Sequence, residues 1–120
     1  MSFTGFSEVS QNPHFQDVKD VAPEQVKKSQ NDLVIIDIRE NDEWTGELGH
    51  IDGAKLINLG NIPDQFSQIP KDKPVVVVCK SGGRSARATA FLKQQGYDQV
   101  YNMFGGMTRW NQLGLPVSRK

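Results

Sequence analysis

The sequence predicts a single α/β domain built on a mainly parallel sheet with helices on both faces. Three observations carry that expectation. Strand-like and helix-like segments alternate about five times along the 120 residues, the pattern of β-α units joined by right-handed crossovers. The run Val75-Val76-Val77-Val78 is apolar at every position, so both its faces need cover, and such strands lie in the middle of parallel sheets. The longest uninterrupted apolar run, Val75 to Cys79, has five residues, far short of the ~20 needed to cross a bilayer.

The elements follow in order. Residues 1–15 read as an N-terminal arm, polar and aperiodic up to Pro13, and residues 16–120 as the folded domain. Asp17 to Val21 reads as a short edge strand. Pro23 then suits the first position of a helix that runs through Lys28. Leu33 to Ile38 is a β-branched run and reads as a buried strand. A short helix from Asn41 to Thr45 ends at Gly46. Lys55 to Leu59 is a further strand, and Ile62 to Gln68 a helical segment ahead of Pro70. Pro74 opens the Val75 to Val78 strand. Ser85 to Gln95 is a helix with Ala88, Phe91 and Leu92 on one face, closed by Gly96. Val100 to Met103 is the last strand and Met107 to Leu113 the last helix.

Composition narrows the function. Leu, Ile, Val and Phe supply 31 residues, above the level of roughly 20% under which chains stay disordered. The 14 basic and 14 acidic residues cancel, yet residues 1–60 are net −6 and residues 61–120 net +6. The bases are dispersed singly, without the basic stripe and interleaved aromatics of a nucleic-acid surface. A small anion is the expected partner; no nucleic acid and no membrane is expected. The N-terminus has neither the basic nor the apolar region of a secretory signal, so a cytoplasmic location is expected. Cys79 is the single cysteine, which excludes an intramolecular disulfide and a four-cysteine zinc site. No metal or cofactor is expected.

A free cysteine is usually a small buried hydrophobe, but the surroundings of Cys79 point to chemistry. It stands at the carboxyl end of the predicted central strand, where ligands bind in open parallel sheets. The segment Cys79-Lys80-Ser81-Gly82-Gly83-Arg84-Ser85 leads straight into a helix. Gly82 and Gly83 permit a tight backbone path, and the loop N–H groups then form an anion cradle at the helix's positive end. Such a site lowers a cysteine pKa from about 8.5 toward roughly 3.5–7.5. Arg84 and Arg87 in the first turns of that helix oppose its dipole, at about 0.3–1 kcal/mol, a discord that a bound anion or the thiolate removes.

Three separated motifs then resemble the rhodanese family of sulfurtransferases. They are Asp37-Ile38-Arg39-Glu40 with Glu43 and Gly49-His50-Ile51-Asp52-Gly53-Ala54; the six-residue loop Cys79 to Arg84; and Gly105-Gly106 with Trp110 and Gly114-Leu115-Pro116-Val117. The resemblance runs from about Val21 to Val117. It implies a three-layer α/β sandwich around a five-stranded, mainly parallel sheet. It further implies that Cys79 takes the outer sulfur of a donor such as thiosulfate, becomes a persulfide, and passes the sulfur to cyanide or a thiol. Loop N–H groups from Lys80 to Arg84 (Lys80, Ser81, Gly82, Gly83, Arg84) would hold the persulfide sulfur. Lys80 and Arg84 would bind the donor's anionic end, with Asp37, Arg39 and Ser85 supporting.

Two alternatives stand beside this one. Cysteine phosphatases and arsenate reductases also use a strand–loop–helix, but with five residues between Cys and Arg where this chain has four. A relay module would pass its persulfide only to a protein partner. Among the remaining residues, His50 reads as fixing a turn rather than as a base, and His14 as solvated. Arg39 and Glu43, four apart, read as an ion pair. Trp110 and Phe104 read as packing the last helix, Trp44 as core or rim, and Met107 as a departure from the aromatic residue often found there in the family.

Overall fold

The computed structural model describes Phe3 and residues 5–120. Among these residues six strands, β1 (Ser10–Gln11), β2 (Lys19–Val21), β3 (Val34–Asp37), β4 (Lys55–Leu56), β5 (Val75–Val78) and β6 (Val100–Met103), form one sheet in the order β1-β2-β6-β5-β3-β4. All neighbours are parallel except β1, which runs antiparallel to β2. Among the described residues, five α-helices accompany the sheet: α1 (Pro23–Lys28), α2 (Asn41–Trp44), α3 (Ile62–Gln65), α4 (Gly83–Gln94) and α5 (Gly106–Gln112). The expected α/β class and the five parallel strands are therefore present, and the sixth strand comes from the expected arm.

Strand β5 lies between β3 and β6, and each of its four valines is 0% exposed. Side chains alternate across a strand, so Val75 and Val77 enter one core cluster with Ile36, Ala88 and Leu92, while Val76 and Val78 enter the other with Ile35, Met107 and Trp110. The first cluster is closed by α3 and α4, the second by α1 and α5. Burying both faces explains why this stretch of sequence is uniformly apolar.

Local departures have local causes. The β2 segment is not an edge, because β1 pairs with it. The hairpin between them is set by Asn12, whose Oδ1 accepts the N–H groups of His14 and Phe15, a turn that Asn favours. Asn12 is buried, so the arm reaches into the domain. Strand β4 stops at Leu56, although the N–H groups of Ile57 and Leu59 still donate to the carbonyls of Asp37 and Ile38. The helical segment 62–68 divides into α3 and a 3-10 turn at Phe66–Gln68. Among the described residues, no helix is long and apolar enough to cross a membrane.

Candidate active site

The sheet brings the ends of β3, β5 and β6 to one edge. Cys79 follows β5 at the centre of that edge and is 1% exposed. The chain then curls through Lys80, Ser81 and Gly82, and Gly82, at φ +103°, turns it into α4. This left-handed conformation is the one glycine adopts without a Cβ penalty. The curl returns the Gly82 N–H to Cys79 Sγ at 3.0 Å, and α4's first turn places Ser85 Oγ 3.2 Å from the same sulfur. The sulfur thus sits at the amino end of a 12-residue helix, where the backbone dipoles favour negative charge.

The loop is held from behind by α5. The carbonyls of Cys79 and Lys80 accept the N–H groups of Met107 at 2.8 Å and Thr108 at 2.9 Å. This contact requires close approach: a Cβ on Gly106 would overlap the carbonyl oxygens of both Cys79 and Lys80, and Gly105 and Gly106 have φ of +75° and +58°. The glycine pair, legible in the sequence only as a closing motif, is therefore part of the site's framework. Two adjacent glycines ahead of a helix were its one sequence signal.

The charged groups pair differently from the expectation. Arg39 does not bond Glu43. Its Nε lies 2.9 and 3.1 Å from the two Asp37 oxygens, its Nη2 reaches Asp37 Oδ2 at 2.8 Å, and it donates to the Gly49 carbonyl at 2.7 Å. Both partners are 1% exposed. Four-residue spacing brings side chains together only along a helix, and here α2 does not begin until Asn41. Glu43 instead takes a two-pronged pair with Arg84, 2.9 Å on each arm, and accepts the Glu40 N–H in a capping box. The hydrogen bonds from Arg84 hold the Glu43 carboxyl down to about 2 against the opposing effect of burial, and Glu43 in turn raises Arg84.

Lys80, Ser81 and Gly83 are exposed, and Lys80 makes no ion pair among the described residues. Lys80, Arg39, Glu43 and Glu47 border a cavity of about 390 Å³ on one side of the loop. On the other side Ser81 to Gly83, Arg87, His14 and Phe104 border one of about 680 Å³. Phe104 does not pack the last helix as expected. It is 57% exposed at that cavity, because β6 ends at Met103 and the glycine turn carries the next side chain outward. Trp110 is fully buried and donates to the Pro116 carbonyl. Met107 belongs to the core. His50 is engaged with Trp44: its ring stacks on the Trp44 ring at 3.6 Å, and Nδ1 lies 2.8 Å from the Trp44 carbonyl oxygen.

Behind Ser85 lies a polar chain that the sequence did not disclose. Ser85 Oγ hydrogen-bonds Asn102 Oδ1, Asn102 Nδ2 donates to Asp20 Oδ1 at 2.9 Å, and Asn12 Nδ2 donates to the same oxygen at 3.0 Å. All four residues are buried. They come from four separate stretches, which no local spacing connects.

Residues 22–113 match the family described as Rhodanese-like domain. The chain is 43% identical over 86 residues to a sulfurtransferase of Allochromatium vinosum, covering 72% of this chain and 78% of that protein. It is 40% identical over 78 residues to the thiosulfate sulfurtransferase GlpE of Shewanella oneidensis, covering 65% and 75%. Among solved structures, a rhodanese-related protein from Thermoplasma volcanium superimposes with a TM-score of 0.79 at 26% identity, over 84% of this chain and 98% of that one.

Proposed function

The chain belongs to the rhodanese-like domain family, and from that premise we propose that it is a sulfurtransferase working through a Cys79 persulfide. The Cys79 thiolate attacks the outer sulfur of thiosulfate or a similar anionic donor. A new S–S bond forms at Cys79, and the donor's own S–S bond breaks with sulfite leaving on the electron pair. A nucleophilic acceptor, cyanide or a thiol, then attacks the terminal sulfur and returns the thiolate. Splitting the transfer this way replaces one difficult step with two easier ones.

The observation that carries this reading is the placement of Cys79 Sγ at the end of the central strand, with the Gly82 N–H donating to it at the head of α4. A second sulfur added there would meet the N–H groups of Lys80 to Arg84. Exposed Lys80 is suited to draw in the donor's anionic end, while Arg84 contributes a fixed charge held by Glu43. Phosphatase chemistry fits less well, because the loop has four residues between Cys79 and Arg84 where that chemistry uses five. A thiol that must be reduced to begin each cycle suits a reducing compartment such as the cytoplasm. Whether the acceptor is small or a protein, the first half of the reaction is the same.

Initial rates of thiosulfate-to-cyanide transfer test the reading. Parallel double-reciprocal lines are expected when one substrate is varied at several levels of the other, with Cys79→Ser inactive but folded. Intersecting lines, or undiminished transfer by Cys79→Ser, would overturn it.

A further inference from the structure

The buried chain behind Ser85 has a direction, and it can be read from its far end. Asn12 Oδ1 accepts two backbone N–H groups, from His14 at 2.8 Å and Phe15 at 3.0 Å, so the Asn12 amide NH₂ must be the group facing Asp20. Asp20 Oδ1 accepts from Asn12 and again from Asn102. That second bond fixes the Asn102 amide, because its NH₂ is committed to Asp20 and its carbonyl oxygen therefore faces Ser85. A carbonyl oxygen only accepts, and a serine hydroxyl has one proton. The Ser85 proton accordingly goes to Asn102, and Ser85 turns a lone pair toward Cys79 Sγ.

The structure assigns Asp20 and Asn102 the role of positioning residues that act on Cys79 through the direction of the Ser85 hydroxyl. This rests on the reading of Cys79 as a sulfur carrier. In the sulfur-free thiol form, Cys79 S–H donates to Ser85 Oγ and every member of the chain is satisfied. Neither a thiolate nor the Sγ of a persulfide, whose negative charge lies on the outer sulfur, has a proton to give. Ser85 must then swing its own proton onto sulfur, which leaves the buried Asn102 carbonyl oxygen unpartnered, and unpartnered buried acceptors are costly. Relative to the thiol, the chain therefore weights the enzyme against the loaded state and toward discharge of the sulfur, whereas the Gly82 N–H can donate to Sγ in both.

Asn102→Ala removes the competing acceptor and frees the Ser85 proton for sulfur. At a fixed thiosulfate-to-sulfite ratio, the loaded-to-free ratio read by intact mass should rise about fivefold, the weight of one net hydrogen bond. In a Ser85→Ala background the same substitution should do nothing further. Asp20→Ala, which lets the Asn102 amide turn over, should act like Asn102→Ala, and Asp20→Asn, which keeps an oxygen at the Oδ1 position, should restore the original ratio. An unchanged or lowered ratio in Asn102→Ala, or an equal effect with and without the Ser85 hydroxyl, would overturn the assignment.

A second readout needs no sulfur transfer. Iodoacetamide should alkylate Cys79 about fivefold faster at pH 7 in Asn102→Ala, and an equal or slower rate contradicts the assignment. Should the unaltered protein take up no sulfur from thiosulfate or polysulfide, the sulfurtransferase reading would fall, and the alkylation ratio would still decide the roles of Asp20 and Asn102.

Discussion

At the scale of single residues, the site is organised by which carboxylate holds which arginine. Asp37 and Arg39 form a buried pair that ties the end of β3 to the Gly49 turn, and Glu43 holds Arg84 beside the catalytic loop. The sequence made all four legible as site residues but mispaired them. Arg39 and Glu43 are close in number, whereas the true partner of Glu43 is 41 positions away. Cys79 was legible because strand, glycines and helix follow one another within seven residues. Asn102 and Asp20 were not, since both lie inside strands, where nothing local marks a polar side chain as buried. The prediction at this scale concerns Arg84. Charge-assisted hydrogen bonds contribute about 1.5–3 kcal/mol, so Arg84→Ala should raise the KM for thiosulfate by about tenfold or more. Steady-state kinetics with an unchanged KM would remove Arg84 from donor binding.

At the scale of elements, the catalytic loop is shaped by two helices that enter it from opposite sides. The turn into α4 supplies the Gly82 N–H and α4 itself the Ser85 hydroxyl facing the sulfur, and α5 supplies the N–H groups that hold the loop's first two carbonyls. The elements themselves were largely legible: β5 and β6 fall where periodicity and punctuation put them, and α4 and α5 each begin one or two residues early at a glycine. What the sequence concealed is that Gly106 touches Cys79 and Lys80, a contact between segments more than 25 residues apart. Gly106→Ala must both strain a φ of +58° and push the loop outward. Urea unfolding should show a loss of about 2–4 kcal/mol, and a loss under about 0.5 kcal/mol would mean the loop does not depend on this contact.

At the scale of the whole molecule, the opposed charges of the two halves of the chain meet at the site. Glu43 from the acidic half and Arg84 from the basic half join α2 to α4 across the carboxyl edge of the sheet. This junction gives stability a pH dependence of definite sign. The Glu43 carboxyl is depressed from 4.5 to about 2 on folding, so the unfolded chain binds the extra proton between those values and stability falls as pH falls through them. The pair's contribution is complete above about pH 4.5 and gone near pH 2. Because Arg84 is 39% exposed, it is held to about 1 kcal/mol. Urea unfolding from pH 7 down to pH 2 should therefore show Glu43→Gln less stable than the unaltered protein by that amount at neutral pH, with the gap closing below pH 4.5. A gap that stays constant to pH 2 would show that the ion pair is not its source.

The fold, the loop and the pairings all serve one assertion, that Cys79 carries sulfur covalently. Intact mass after incubation with thiosulfate tests it most directly. The account predicts a gain of one sulfur atom on the unaltered protein, removed by cyanide and absent in Cys79→Ser. No gain with thiosulfate or with polysulfide, alongside measurable hydrolysis of a phosphate ester, would contradict it.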